Sequence, residues 1–137
     1  MFIEKPNEEY YAIINDGVEI KEGEYKEYYP DTETDNRRLK IQCNYSNNKL
    51  HGTYIEFNYD KTINKTCNYN NGVLDGEEIQ YYDHFGTRHM RKSYYVNGNL
   101  HGKSKLYNSY GKLEWTIVYE NGRIKIPYKK NKQCIIL

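Results

Sequence analysis

The sequence predicts an all-β protein, an elongated single-layer antiparallel meander of tandem β-hairpin repeats. Three observations lead to this fold class: a unit that recurs around glycine residues, apolar residues at every second position, and Asn-Gly pairs between the alternating segments. The composition agrees with a thin sheet, because only 37% of the 137 residues are hydrophobic and 17 are tyrosines, which form strands well and tolerate a half-wet surface. The net charge of +1 lacks the strong imbalance typical of disordered chains.

The recurring unit is found by laying the chain on itself. Four copies align on Gly23, Gly52, Gly76 and Gly102, which are 29, 24 and 26 residues apart. The longest interval contains an insertion at residues 30–36, rich in turn formers and acidic residues. We therefore expect a single repeat domain over residues 1–137. Its predicted parts are a cap strand at 8–16, repeats at about 17–51, 52–75, 76–101 and 102–125, and a basic tail or cap at 126–137.

Each copy contains two strand-like arms, and both arms carry aromatic residues at fixed positions. The predicted aromatic ladder comprises Tyr28, Phe57, Tyr81 and Tyr107 on the first arms and Tyr45, Tyr69, Tyr95 and Tyr119 on the second arms. Counting backwards by twos from Tyr45 gives Cys43, Ile41 and Leu39. This period of two is typical of strands whose sheet has one drier face.

Tight reversals are predicted where an Asn-Gly or Asp-Gly pair separates two arms, because these residues adopt the positive φ that a two-residue hairpin needs. The predicted turn and repeat glycines are Gly17, Gly23, Gly52, Gly72, Gly76, Gly98, Gly102 and Gly122. Successive arms should run antiparallel, in about ten strands. No segment has the apolar stripe of a helix.

The unit N-G-x-L-x-G-x-x-x-x-Y-Y, followed by a second arm that ends in N-Y-x-N-G, resembles the MORN repeat. It looks most like the variant in bacterial YwqK-like antitoxins, and the segment LKIQCNYSNNKLHGTY is similar to repeat proteins of giant DNA viruses of amoebae. The resemblance covers about residues 16–125, with Asn48 in place of one turn glycine and Ile126 where a fifth repeat glycine would fall. It implies a surface that contacts proteins or membrane lipids, or an antitoxin that neutralises a toxin.

Catalytic, cofactor and metal sites are not predicted, and we expect no enzyme activity. Polar residues recur by repeat position, which is typical of a scaffold rather than of unlike groups that converge in a pocket. His51 and His101 occupy equivalent positions that also accept Asp75, so a structural role is favoured over a ligand. His84 and His89 lack a third ligand nearby in sequence, which disfavours a metal pair.

The cysteines indicate a reducing, intracellular compartment. Cys43 and Cys67 occupy equivalent second arms, which lie two strand spacings apart, roughly 9.6 Å. A disulfide requires less than about 7 Å between the Cα atoms. We therefore expect two free thiols that pack as small apolar residues.

The last four residues, Cys134 to Leu137, match a C-a-a-X box for prenylation. The basic residues upstream, which would attract an anionic membrane surface, are Arg123, Lys125, Lys129, Lys130 and Lys132. The alternative is that this tail is a truncated second arm that caps the sheet, because Gln133-Cys134 repeats Gln42-Cys43.

The favoured function is a non-enzymatic scaffold for protein–protein interactions whose partner is not identified. The partner could be another protein or a second copy bound through a sheet edge or face. The alternatives are an antitoxin or immunity protein and a prenylated adaptor at a membrane. Nucleic acid is disfavoured, because the charge is near neutral and the repeat explains the tyrosines. We expect a cytoplasmic location, with peripheral-membrane or virion-associated locations as alternatives.

Overall fold

The computed structural model describes residues 1–30, 37–84 and 86–126, and these residues form thirteen β-strands and no helix. No described segment is therefore a helix long and apolar enough to cross a membrane. The strands are β1 (Phe2–Lys5), β2 (Glu8–Asn15), β3 (Val18–Tyr28), β4 (Leu39–Ser46), β5 (Lys49–Phe57), β6 (Ile63–Asn70), β7 (Val73–Leu74), β8 (Gly76–His84), β9 (Thr87–Val96), β10 (Asn99–Leu100), β11 (Gly102–Tyr107), β12 (Leu113–Glu120) and β13 (Arg123–Ile126). The all-β prediction and the absence of a helical segment are confirmed for this part of the chain.

The chain divides into two compact units, with the boundary between Val73 and Leu74. In the first unit, β1 to β6 pair in chain order, each antiparallel to the next. In the second unit, β8 pairs with β9, β9 with β11, β11 with β12, and β12 with β13, again antiparallel. The predicted meander of hairpins is therefore present in both units.

The tight turns between strands have the positive φ values that the sequence predicts. Asn71 and Gly72 adopt φ of 49° and 83°, and Asn97 and Gly98 adopt 48° and 79°. The turn that lacks glycine has Asn47 and Asn48 at φ of 49° and 63° instead. Asparagine tolerates this left-handed conformation better than other non-glycine residues, so the hairpin closes without its glycine.

The repeat glycines have a different role, since Gly23 and Gly52 lie inside β3 and β5 rather than at a reversal. The register between β4 and β5 shifts at Gly52. Cys43 lies opposite Tyr54, and Tyr45 lies opposite Leu50, so a step of two residues along β4 corresponds to a step of four along β5. Gly52 adopts φ of 83° within this β-bulge, a conformation that glycine reaches without steric cost. The bulge places two extra residues in β5 relative to β4. Because this number is even, residues of β5 on either side of the bulge keep the same alternation between the two faces.

A second bulge precedes the second arm in three of the repeats. It places the first-arm aromatic residue opposite an aliphatic one, pairing Tyr28 with Leu39, Phe57 with Ile63, and Tyr107 with Leu113. Aromatic residues pair favourably with aliphatic residues across strands. The hairpin of β8 and β9 has no such shift, and Tyr81 lies opposite Met90 in an unbroken register.

The strand count exceeds the expected ten because of short elements that the sequence did not reveal. β1 precedes the predicted cap strand and pairs with it, Phe2 opposite Tyr11. The short strands β7 and β10 arise because the first arm is interrupted at Asp75 and at His101 in the third and fourth repeats. In the first two repeats the equivalent arm continues through the bulge.

The core of the first unit is a single row of side chains on one face of the sheet. Pairing places Tyr10, Tyr25, Cys43, Tyr54 and Cys67 side by side across β2 to β6. Tyr10 is 1% exposed, and Cys43 and Cys67 are each 2% exposed. Such a row buries apolar area with one layer of side chains, which explains how so polar a sequence folds.

Candidate functional site

Lysine side chains cover part of the tyrosine row on the core face of the first unit. The ammonium group of Lys21 lies 4.6 Å from the ring centre of Tyr10, 4.5 Å from that of Tyr25 and 5.3 Å from that of Tyr45. Lys5 lies 5.0 Å from the Tyr10 ring. A cation over an aromatic face is attracted by the ring's negative potential. The chain's own lysines thus occupy the place that a cationic ligand would take.

The predicted second-arm tyrosines lie on the core face. Tyr45 packs edge-on against Tyr25 at 5.5 Å between ring centres, and Tyr69 packs against Tyr54 at 5.8 Å. Tyr95 donates a long hydrogen bond of 3.5 Å to Glu78. Tyr119 lies opposite Gly102 in the ladder.

The predicted first-arm aromatic residues alternate to the other face, which we call the open face. Tyr28 donates a hydrogen bond of 3.0 Å to Glu9, and the Arg37 guanidinium lies 4.6 Å from its ring centre. In the second unit Arg88 lies 4.5 Å from the ring centre of Tyr81. Phe57 is partly buried and lies opposite Ile63.

Cys43 and Cys67 are not joined in a disulfide, as predicted. Tyr54 lies between Cys43 and Cys67 in the ladder, so the two thiols are on alternate strands. Burial raises the pKa of the Cys43 thiol to about 12. A thiol that stays protonated at neutral pH is a poor nucleophile, so Cys43 serves as a core residue.

Three of the four histidines, His51, His89 and His101, contact the protein's own backbone or side chains. His51 accepts a hydrogen bond of 3.4 Å from the Asn71 amide, and the backbone N–H of His101 donates to the Tyr94 carbonyl at 2.8 Å. His89 is buried, with one ring nitrogen 3.2 Å from the Thr87 carbonyl oxygen and the other 3.8 Å from Glu114. Among the described side chains, no group of three His, Cys, Asp or Glu could hold a metal ion.

The core face of the second unit is polar where that of the first is aromatic. Glu78 is 4% exposed and accepts a hydrogen bond of 3.2 Å from Arg91. Ser93 and Ser104 are also buried, and their hydroxyls lie 2.7 Å apart. Buried polar groups need such partners, because an unpaired one costs free energy.

The open face of the second unit carries a groove of about 320 Å³ over β9 and β11. Its lining residues are Glu77, Lys92, Ser93, Tyr94, Lys103, Lys105 and Tyr107. We call this surface the lysine face. Alternation explains its composition, since Ser104 and Leu106 point into the core and leave Lys103, Lys105 and Tyr107 on the outside.

Positive charge on the lysine face is only partly neutralised. Glu77 forms an ion pair of 2.6 Å with Lys92 and raises the pKa of that lysine. Lys105 lies opposite Lys92 in the register of β11 and β9. Within the part of the chain that the structure describes, neither Lys103 nor Lys105 has a carboxylate within ion-pair distance.

A second groove, of about 280 Å³, adjoins the first and shares Tyr107 with it. Tyr81, Arg88, Met90 and the turn at Asn108 to Gly111 line this groove. Together the two grooves form a surface with aromatic rings, a thioether and four cations. The sequence signal for it is the alternation Lys103-Ser104-Lys105.

The C-terminal predictions concern residues that are mostly outside the described ranges. Arg123 and Lys125 lie in β13, where Lys125 donates a hydrogen bond of 3.0 Å to Glu120. Lys129, Lys130, Lys132 and the predicted lipidation site Cys134 lie beyond the described residues. The same holds for positions 31–36 of the insertion.

Comparisons with known proteins do not assign a family. No protein-family model matches the chain, and no curated protein or solved structure matches it at a significant level. The resemblance to MORN repeats stays a prediction, and function must be argued from the surface itself.

Proposed function

We propose that the chain is a non-enzymatic scaffold that binds a protein partner, and that the lysine face of the second unit receives an extended acidic segment of that partner. The observation that carries the proposal is the pair Lys103 and Lys105, two cations on one strand with no carboxylate of the described residues within ion-pair distance. Glu77, which lines the same groove, is paired with Lys92.

The spacing of these cations suits an extended peptide. Residues two apart on a strand point to the same side and lie about 6.8 Å apart. Carboxylates at alternate positions of an extended segment have the same spacing, so each can approach one lysine. Tyr94, which is 49% exposed, and Tyr107 add aromatic surface beside the lysines. Tyrosine is enriched at protein interfaces because it combines apolar area with a polar tip.

The charge distribution favours a peptide over a uniform polyanion. Glu77 and Asp83 lie on β8 beside the cations of β9, with Asp83 opposite Arg88. A nucleic acid would bring a phosphate near these carboxylates at every step, whereas a peptide carries its charges only at selected residues. The neutral overall balance of +1 also lacks the excess charge typical of nucleic-acid binding domains.

The experiment is a fluorescence anisotropy titration with a labelled peptide of alternating threonine and glutamate. We compare the natural chain with the double variant Lys103→Glu/Lys105→Glu. The matched control is Lys49→Glu/Lys61→Glu, which reverses two exposed lysines of the first unit and changes the net charge equally. Each exposed charge pair contributes up to about 1 kcal/mol, so reversing two lysines should weaken binding about tenfold.

The control variant should bind the peptide like the natural chain. Equal weakening in both variants would mean that only net charge matters, and it would contradict a defined surface. An oligonucleotide that binds more tightly than the peptide and displaces it would also overturn the proposal.

A further inference from the structure

The chain contains an acidic segment of the kind that the lysine face fits. Residues 31–35 read Asp-Thr-Glu-Thr-Asp, with carboxylates at Asp31, Glu33 and Asp35. No other part of the sequence has three acids at strictly alternate positions. The described residues that flank the segment, Pro30 and Arg37, are both exposed.

We infer that the lysine face binds segment 31–35 of a second copy of this chain, so that copies associate in a head-to-tail manner. The inference rests on the proposed function and names the partner. Charge complementarity supports it: two lysines that have no described carboxylate within ion-pair distance face outward on β11, and three acids alternate with neutral residues in the segment.

The carboxylates of the segment and the lysines of β11 match in spacing as well as in sign. Alternate carboxylates of the segment, when it lies extended along β11, have the same repeat of about 6.8 Å as Lys103 and Lys105. Lys92 lies opposite Lys105 on the neighbouring strand, about 4.8 Å away between backbones, and is within reach of a third carboxylate. Glu77 already holds Lys92 in an ion pair of 2.6 Å, so Lys92 contributes less to binding than Lys103 and Lys105.

The two contacting surfaces are different, which determines the kind of assembly. A contact between unlike surfaces leaves one free segment and one free lysine face at the ends of every complex that does not close into a ring. Association should therefore continue beyond a dimer as concentration rises. It should also weaken as salt increases, because the contacts are between exposed charges.

The test is sedimentation velocity of the full chain over a concentration series up to about 100 µM, a range that reveals micromolar contacts. Each concentration is measured at about 0.05 M and about 0.5 M salt, where the screening lengths differ about threefold. We expect species heavier than the 16.5 kDa chain at low salt and their loss at high salt.

Charge reversal on either side should abolish this association. The variants are Lys103→Glu/Lys105→Glu on the face and Asp31→Lys/Glu33→Lys/Asp35→Lys on the segment, and each alone should weaken association at least about tenfold. A mixture of the two should associate again. One chain carrying all five reversals should also recover self-association, which a merely damaged protein would not do.

The outcomes separate the inference from the proposed function. If the natural chain stays monomeric while the threonine–glutamate peptide binds the lysine face, the second copy is not the partner, although the surface still binds acidic peptides. A chain that stays monomeric at every concentration, but whose lysine face binds the peptide more tightly when the segment's charges are reversed, would place the contact within one chain and would overturn the inference. Failure of both self-association and peptide binding would contradict both proposals.

Discussion

The two units use the same backbone devices but place different residues at the same repeat positions. Two residues after the repeat glycine, the first unit has Tyr25 and Tyr54, whereas the second has Glu78 and Ser104. All four side chains point to the core face, and Tyr25, Glu78 and Ser104 are buried. The turns and bulges recur in both units with positive φ values.

This difference between the core residues of the two units separates the features that the fold requires from those that vary within it. The fold requires the turn residues, the glycine bulges and the alternation, because these are common to both units. The side chains in the core row are interchangeable in kind, provided that each polar one finds a partner. The second arms show the same interchange of core residues, since Cys43 and Cys67 of the first unit correspond to Ser93 and Ile117 of the second.

The largest effect is expected for Tyr10→Ala in the first unit. The ring is buried between Tyr25 and two lysines, and loss of a buried aromatic ring typically costs about 3–5 kcal/mol of unfolding free energy. The measurement is urea denaturation followed by far-ultraviolet circular dichroism.

The matched control for Tyr10 is Tyr10→Phe, which keeps the ring and removes the hydroxyl with its 2.6 Å hydrogen bond to Glu19 and its interaction with Lys5. It should cost about 1 kcal/mol. If the two variants lost equal stability, the hydroxyl rather than the packed ring would hold this row together.

A smaller and non-additive effect is expected at the serine pair of the second unit. Ser104→Ala leaves the buried Ser93 hydroxyl without its 2.7 Å partner, at a cost of about 1–2 kcal/mol. Replacing both serines by alanine should cost less than the sum of the two single changes, because no hydroxyl is then left unpaired. Fluorescence of the single tryptophan, Trp115 in β12, reports this unit during urea unfolding. Strictly additive costs would show that the two hydroxyls stabilise the unit independently.

Alkaline pH should weaken the first unit more than the second. Burial raises the pKa of Tyr25, Tyr45 and Tyr54 above the ordinary tyrosine value of 10.0 and that of Cys43 above 9.0. In the second unit, burial raises the pKa of Tyr82.

The direction of the change in stability with pH depends on whether the folded or the unfolded state loses its proton first. When the folded-state pKa is raised, the unfolded chain deprotonates first, so stability is fully present below the ordinary pKa and is lost as pH rises above it. One pH unit above that value, each fully shifted group should cost on the order of 1 kcal/mol.

The measurement is the urea midpoint from pH 7 to pH 11, in the natural chain and in Tyr25→Phe. Replacement of the phenol by a ring without an ionisable group should make the decline above pH 10 less steep. A midpoint that stays constant up to pH 11 would contradict the burial of the tyrosine row.

The sequence predicted the fold because its signals are local. The Asn-Gly pairs specify turns, and the alternation from Leu39 to Tyr45 specifies a strand, without information from distant residues. The bulge at Gly52 is harder to predict from the sequence, because a glycine with positive φ occurs both at reversals and within bulged strands. The repeat pattern does not predict the buried row at Tyr10, Tyr25 and Tyr54. The positions in the second unit that are equivalent to Tyr25 and Tyr54 hold a glutamate and a serine.

The lysine face could not be read from the sequence alone. Alternation places Lys103 and Lys105 on one side of a strand, but exposed lysines are common on every sheet. Their significance depends on which acids lie on the neighbouring strands, and this is set by the register of β8, β9 and β12. The register brings Glu77 to Lys92 and leaves the lysines of β11 opposite Thr116 and Val118.

The central claim is that the lysine face of the second unit binds an acidic segment, and amide chemical shifts test it most directly. The full chain, labelled with ¹⁵N, is titrated with the threonine–glutamate peptide at low salt. We predict that the shifts change at Lys92, Tyr94, Lys103 and Lys105, while the tyrosine row of the first unit stays unperturbed. Changes confined to the first unit, or spread evenly over all exposed lysines, would contradict the claim.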